Sequence, residues 1–203
     1  MMRKLPESWT AAAAPLLVDN VDTDTIIPSR EMRSTGRTGL ADGLFAPWRY
    51  LDADSRTENP DFVLNKFPFR DTTILLGGGN FGCGSSREHA VWALAEWGIF
   101  AILAESFAPI FQGNCIRNGI LPATISRAAL KHFAGEDVTI DLAGQKVSAA
   151  GETCMFEIEP EARLMLLEGL DAIDLTLKQA DVIAAWNSSD RARRPWVYLE
   201  KSA

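Results

Sequence analysis

The sequence predicts an α/β fold, because short apolar runs typical of strands alternate with segments of helical periodicity. The run Thr73–Leu76 is aliphatic and leads into a glycine-rich turn, which is the pattern of a buried strand. After this turn, the apolar residues between positions 90 and 97 recur at helical spacing. A second apolar run, Ile99–Ala104, precedes another helical segment. Strands and helices that alternate in this way pack as layers of one domain.

The N-terminal part is predicted to contain a first strand, an acidic turn and a long loop-rich segment. Leu16–Val18 is the predicted strand, and Asp19–Thr25 follows it with three acidic residues. Either the carboxylates bond local backbone amides in an Asx-rich turn, or one of them is held near a site. Residues 29–72 are interrupted by glycines and prolines and include scattered arginines, among them Arg33 and Arg37. We interpret this segment as a flap that covers a ligand or docks a partner.

The C-terminal part is predicted to contain helices around a β-hairpin. Ser106 and Ser126 are expected to cap two helices, with an extended segment at 120–125 between them. The later predicted elements are strands at Asp137–Leu142, Lys146–Ala150 and Thr153–Ile158, and helices from Pro160 to Gly169 and over Leu175–Trp186. We therefore predict one domain over residues 1–186 and a polar, loosely ordered tail over 187–203.

Composition limits the possible functions. The chain has 203 residues, of which 47% are hydrophobic and 23% charged, as in an ordinary globular protein. A net charge of −7 argues against nucleic-acid binding, and no apolar run approaches the roughly 18 residues of a membrane span. We read no export signal. The widely spaced Cys83, Cys115 and Cys154 suit free thiols in a reducing cytoplasm and lack the spacing of a metal or iron–sulfur motif.

The candidate site follows the central strand. Glycines between positions 77 and 84 allow close approach of a ligand, and the turn is expected to open a helix at Ser85. Ser85, Ser86 and Arg87 then lie where free N–H groups and the helix dipole favour anions. This combination predicts a site for a small carboxylate or phosphate.

Other interpretations of these residues remain open at this point. Gly77, Gly79 and Gly82 match the spacing of a dinucleotide-binding turn, with Glu105 after the next strand as a ribose ligand. Three structural roles are also possible: Ser85 as a helix cap in a capping box with Glu88, His89 as a core histidine, and Arg87 as an ion-pair partner of Asp22 or Asp24.

Two motifs, NFGCGSSREHA (80–90) and NVDTDTIIP (20–28), resemble the small swivelling domain of the aconitase superfamily. The stretches 37–52, 105–114 and 169–177 are similar to the small subunits of bacterial 3-isopropylmalate dehydratases. The resemblance reaches to about Trp186. It implies a swivelling β/β/α domain with a mixed sheet flanked by helices, and a heterodimer with a large subunit that carries a [4Fe–4S] cluster, no metal being bound by this chain.

The activity implied by the resemblance is a hydro-lyase reaction of leucine biosynthesis. It interconverts 2-isopropylmalate and 3-isopropylmalate, small dicarboxylates, through isopropylmaleate; related 2-methylmalate (citraconate) and homoaconitate hydratases share the motif. The resemblance makes Ser85 the base, Arg87 the carboxylate ligand and Asp24 a further catalytic residue. Ser86, Gly84 and Arg37 are the other expected substrate-binding residues.

Overall fold

The computed structural model describes residues 2–32, 36–52 and 54–198, and in this part of the chain one seven-stranded mixed sheet is flanked by helices. The strands are β1 (Ser8–Leu16), β2 (Ile74–Gly77), β3 (Ala101–Ala104), β4 (Leu121–Thr124), β5 (Asp137–Asp141), β6 (Lys146–Ala149) and β7 (Glu152–Met155). Their spatial order is β4-β3-β2-β1-β5-β6-β7. Strands β1 to β4 are parallel, whereas β5, β6 and β7 join antiparallel. The predicted α/β class is confirmed.

The helices range from single turns to fourteen residues. The α-helices are α1 (Thr23–Ile26), α2 (Ala46–Arg49), α3 (Glu88–Trp97), α4 (Pro109–Arg117), α5 (Arg127–His132), α6 (Pro160–Glu168), α7 (Ala172–Leu177) and α8 (Ala180–Arg193). Single 3-10 turns cover Ser29–Glu31, Ala41–Gly43, Val63–Asn65, Phe69–Asp71 and Pro195–Val197. None of the helices in the described ranges is long and apolar enough to cross a membrane.

The first strand begins earlier than predicted. The prediction of Leu16–Val18 is wrong, because β1 spans Ser8–Leu16 and pairs with β2 on one side and β5 on the other. Its alanines have little β propensity, so the local sequence does not indicate a strand. At the centre of the sheet the small side chains of Ala13 and Ala14 are fully buried, one in each of the two apolar clusters. Tertiary packing, rather than propensity, defines this strand.

The predicted β2–turn–α3 unit is confirmed, as are β3 and the strand at 120–125. The three connections β1–β2, β2–β3 and β3–β4 all join parallel neighbours, so their strands end at the same edge of the sheet. Ligands of open α/β sheets bind outside the carboxyl ends of the strands. The loops that follow β1, β2 and β3 therefore meet where a site is expected.

The loop-rich segment between β1 and β2 packs on the body of the domain. Leu44, Phe45 and Leu64 are completely buried in the same apolar cluster as helices α3 and α4. The carboxylate of Glu96 on α3 accepts backbone hydrogen bonds from Gly39, Leu40 and Ala41, at 2.7, 2.6 and 2.9 Å. These contacts fix the described part of the segment after residue 36. Its role as a flap remains a prediction, and Arg33 lies outside the described residues.

The C-terminal prediction is wrong about the Ser106 cap, because α4 has Ala108 as its N-cap and Ser106 Oγ accepts from Asn80 N–H at 2.7 Å. Ser126 caps α5 as predicted. The later elements are confirmed as far as Gly169, and the prediction is wrong beyond it. The hairpin β5–β6, strand β7 and helix α6 are present, and α6 ends at Gly169 in the left-handed conformation. The single helix predicted over Leu175–Trp186 is instead two helices, because Asp171 caps α7 separately and α8 begins at Ala180. Helix α8 also continues past Trp186 to Arg193. The described part of the predicted tail is thus partly helical, and residues 199–203 lie outside the described ranges.

Candidate active site

The loops after β1 and β2 are joined by backbone hydrogen bonds into one unit. Asn20 N–H donates to the Gly79 carbonyl at 2.9 Å, and Gly82 N–H donates to Val21 at 2.8 Å. Thr23 N–H donates to the Cys83 carbonyl at 2.9 Å. Because these bonds recur along both loops, the acidic turn and the glycine turn are held in fixed register. Residues that are about sixty positions apart in the sequence are thereby brought together.

Arg87 and Asp24 form an ion pair between these two loops. The Arg87 Nη1 group donates to Asp24 Oδ1, and the Asp24 side chain is 55% exposed while that of Arg87 is 27% exposed. Asp22, the other predicted partner, instead caps α1 by accepting from Thr25 N–H at 2.6 Å. The two roles considered for the acidic turn therefore belong to different residues. Asp22 has the local Asx role, and Asp24 lies at the site with Arg87.

Thr23 is a site residue that the sequence reasoning missed. Its hydroxyl is buried and donates to the Ser85 carbonyl at 2.9 Å, and it also lies 3.3 Å from Ser85 Oγ. Its position directly before Asp24 was the only available signal. The Thr23 side chain fixes the backbone at Ser85 and shares a hydrogen bond with the hydroxyl that the resemblance makes the base.

Five of the six expected site residues lie together. Asp24 pairs with Arg87, and Gly84, Ser85, Ser86 and Arg87 line one small pocket of about 100 Å³. The remaining lining residues are Thr23, Gly82, Ala108, Pro109, Ile110, Phe111 and Asn114. Ser85 and Ser86 are exposed at its mouth. A cleft of about 610 Å³ lies beside α6, but the described residues lining it include no cation. Of these two cavities, the smaller is the better candidate for an anionic ligand.

Helix α3 begins later than the sequence suggested. Arg87 occupies the N-cap position, with Glu88 as the first helical residue, so the prediction of Ser85 as the cap is wrong. The capping box with Glu88 is also wrong, because the Glu88 carboxylate accepts from Asn118 Nδ2 at 2.8 Å. Ser85 and Ser86 are loop residues whose side chains are not used to cap the helix. The positive end of α3 still lies at the pocket, directly after Arg87.

The glycines of this turn pack against other parts of the same chain and do not form a dinucleotide-binding turn. Of the glycines in this turn, Gly82 and Gly84 have positive φ, at 76° and 90°, and the non-glycine residue Asn80 also has positive φ, at 53°. A Cβ at Gly82 would lie 2.1 Å from the Phe111 ring, and one at Gly78 would lie 2.4 Å from the Val18 carbonyl oxygen. These glycines therefore allow loops and α4 to approach one another. The third glycine of a dinucleotide motif packs against the helix that follows it, and Gly82 packs on α4 instead.

Arg37 is placed apart from the pocket. Its guanidinium lies over the ring of Trp92 on α3, 5.0 Å from the ring centroid. His89 packs on the same ring, with centroids 4.7 Å apart, which is consistent with the packing role considered for this histidine. Among the described residues, Arg37 is not part of the pocket lining. Its role in substrate binding remains a prediction.

A second charged cluster lies at the same edge of the sheet. Arg127 donates to Glu105 at 2.6 Å and also pairs with Asp19, so it connects the ends of β1, β3 and β4. The Gly79 N–H, followed by Arg127, lowers the pKa of Asp19. Glu105, considered above as a ribose ligand, is thus engaged in an ion pair. This cluster stabilises the geometry of the loops that carry the pocket.

The three cysteines are free thiols, and Cys115 is fully buried, which raises its pKa. Within the described part of the chain, no three cysteine, histidine or acidic side chains are grouped as a metal site. The residues present therefore do not fit a [4Fe–4S] cluster, which requires several thiolate ligands together.

Comparisons with known proteins agree with this architecture. The model of the aconitase C-terminal domain family matches residues 7–128, which include strands β1 to β4 and every residue of the pocket. A 3-isopropylmalate dehydratase small subunit of Cupriavidus necator is 52% identical over 197 residues, covering 93% of this chain and 95% of that protein. One from Rhodospirillum centenum is 47% identical over 195 residues, covering 92% and 95%.

A solved structure shares the fold as well as the sequence pattern. It is a 3-isopropylmalate dehydratase from Methanocaldococcus jannaschii, with 30% identity and a TM-score of 0.65, and the match covers 89% of this chain and 99% of that one. Identity of about half over nearly the full length of both chains shows a family relationship and not only a shared fold. The chain therefore belongs to the family of 3-isopropylmalate dehydratase small subunits, whose core is an aconitase C-terminal domain.

Proposed function

We propose that this chain is the small subunit of a 3-isopropylmalate dehydratase and acts with a large subunit in the cytoplasm. The complex interconverts 2-isopropylmalate and 3-isopropylmalate through isopropylmaleate. The observation that carries the proposal is the Arg87–Asp24 ion pair beside Ser85, at a pocket on the carboxyl edge of the sheet. Membership of the family supports the same reaction. The net charge of −7 gives no support to a nucleic-acid partner.

Arg87 is proposed to bind a carboxylate of the substrate. Its guanidinium is partly exposed in the pocket and matches a carboxylate in a bidentate arrangement. Removing a proton next to that carboxylate concentrates negative charge on it. Arg87 and the positive end of α3, which begins at the next residue, would stabilise this charge as it develops. Asp24 would orient the guanidinium by accepting from Nη1.

Ser85 is proposed to remove the proton. A serine acts as a base only when its alkoxide is stabilised. Arg87 and the end of α3 supply the positive charge for this purpose, and Thr23 Oγ1 lies 3.3 Å from Ser85 Oγ as a hydrogen-bond partner. Ser86 and the Gly84 backbone line the same pocket and would complete the contacts to the ligand.

The large subunit is proposed to complete the site. The described residues of this chain do not fit an iron–sulfur cluster, so we assign the [4Fe–4S] cluster to the partner. When bound there, it supplies the Lewis acid that assists departure of the hydroxide. The exposed positions of Ser85 and Ser86 leave the pocket open on one side, as a shared site requires.

The test is reconstitution with the large subunit. The purified chain and the purified cluster-containing large subunit are assayed separately and mixed, by the absorbance of isopropylmaleate formed from 3-isopropylmalate. We expect turnover only in the mixture, and no cluster on this chain after anaerobic incubation with iron and sulfide. Turnover by this chain alone, or none by the mixture, would contradict the proposal.

A further inference from the structure

Ile110 is an exposed apolar side chain at the mouth of the candidate pocket. It lies in the first turn of α4 and is 58% exposed, whereas the next residue, Phe111, is 2% exposed. Ile110 lines the pocket together with Ser85 and Arg87. The Ile110 side chain is therefore accessible to a ligand that enters this pocket.

The pocket has two chemically different sides. One side carries hydroxyl groups and a guanidinium, from Thr23, Ser85, Ser86 and Arg87. The other side is α4 and the residue before it, where Ala108–Phe111 offer apolar side chains and Asn114, one turn further along, is the polar lining residue. The polar side is sufficient for a carboxylate and a hydroxyl group. The apolar side fits a ligand that also carries a hydrocarbon group.

The apolar side is held firmly against the turn that carries Ser85. The Phe111 ring packs on Phe81 with centroids 5.7 Å apart, in the space left by the missing side chain of Gly82. Ala108 N–H also donates to the Phe81 carbonyl at 3.0 Å. Because these contacts fix both ends of the first turn of α4, the position of Ile110 relative to Ser85 is set by the fold.

We propose that Ile110 determines the alkyl specificity of the site by contacting the branched hydrocarbon group of the substrate. The proposal rests on the proposed function, since it concerns the same dicarboxylate. When Arg87 binds a carboxylate on the polar side, the alkyl group lies against Ile110 and Pro109. A substrate with a shorter alkyl group buries less apolar surface there, so the enzyme binds its transition state less tightly.

The test uses the reconstituted two-subunit complex and two substrates, 3-isopropylmalate and 3-methylmalate. The measured quantity is the ratio of their kcat/KM values, because this ratio cancels effects on subunit assembly and on the shared chemistry. Ile110→Ala should lower the isopropyl-to-methyl ratio by about tenfold, and Ile110→Val by about threefold. The matched control is Ile173→Ala, which alters an isoleucine that is 70% exposed on α7 and is not part of the pocket lining. Its ratio should be unchanged.

The alternative is that Ile110 contacts only the large subunit. In that case Ile110→Ala would weaken assembly, measured by titration with the large subunit, and would leave the ratio unchanged. That result, from a wild-type complex that is active, would overturn this inference alone. A wild-type complex inactive on both substrates would overturn the proposed function as well. If Ile110→Ala does not assemble, the ratio of kcat/KM values is measured on Ile110→Val, which removes one methylene group, and tests the inference in the same way.

Discussion

The guanidinium of Arg87 pairs with the carboxylate of Asp24, although the two residues are 63 positions apart in the sequence. The pair connects the turn after β1 to the turn after β2, at the edge where both strands end. Both side chains remain partly exposed, so the Arg87 guanidinium is accessible to a carboxylate ligand as well as to solvent. It is therefore a weak ion pair, whose proposed role is to orient Arg87 rather than to stabilise the fold.

Replacing Arg87 with lysine should impair catalysis more than stability. Lysine keeps the charge but lacks the planar fork that matches a carboxylate, so we expect kcat/KM of the complex to fall by about 100-fold or more. The measurement is steady-state kinetics with 3-isopropylmalate. The control is Arg70→Lys, because Arg70 forms an exposed surface pair with Glu58. Near-normal kinetics of Arg87→Lys would show that Arg87 is only structural.

Ser85→Ala should fold normally and lose turnover by orders of magnitude. Because α3 begins at Glu88 and Ser85 does not cap it, we expect a stability change below the roughly 1 kcal/mol of a lost helix cap. Turnover falls because no neighbouring group replaces the alkoxide. Exchange of deuterium from solvent into the substrate measures proton removal directly. Exchange at the wild-type rate would exclude Ser85 as the base and direct attention to Ser86 or His89.

Thr23 offers a matched pair of variants. Thr23→Ser keeps the hydroxyl that donates to the Ser85 carbonyl, whereas Thr23→Val keeps the shape and removes it. We expect Thr23→Val to lower kcat by at least tenfold and to cost about 1 kcal/mol of stability, since one partly buried hydrogen bond is lost while the Ser85 carbonyl still accepts from Arg87 N–H. Thr23→Ser should retain most of the activity. Equal kcat values for the two variants would show that the hydroxyl does not support Ser85.

Glu96 should make stability depend on pH in the acidic range. Partial burial raises the pKa of Glu96, but the N–H groups of Gly39, Leu40 and Ala41 outweigh this and hold the pKa below its ordinary value. A carboxylate with a lowered folded pKa stabilises the fold above its unfolded pKa, about 4.3, and loses this effect as the pH falls through the folded pKa.

Glu96→Gln should therefore be less stable than the wild type at pH 7, by about 1 kcal/mol or less at this exposed position. The difference should shrink as the pH falls below about 4. Urea unfolding at a series of pH values measures it. A difference that is constant with pH would mean that the charge of Glu96 does not anchor the loop.

Much of the central fold can be predicted from short stretches of sequence. The aliphatic run at 73–76, the hairpin around 143–145 and the Ser126 cap of α5 depend on neighbouring residues, and each is where the sequence places it. The start of β1 and the break between α7 and α8 were mispredicted. The β1 alanines become a strand only through pairing with β2 and β5.

Local sequence was sufficient to identify the motif, the residue types at the site and the family. It could do so because the glycines, serines and Arg87 are adjacent in the chain and their spacing is specific. Local sequence could not show that Asp24 rather than Asp22 pairs with Arg87, that Thr23 donates to the Ser85 carbonyl, or that Ile110 lines the same pocket. These contacts join loops that follow different strands, and only the order and direction of the strands in the sheet bring those loops together.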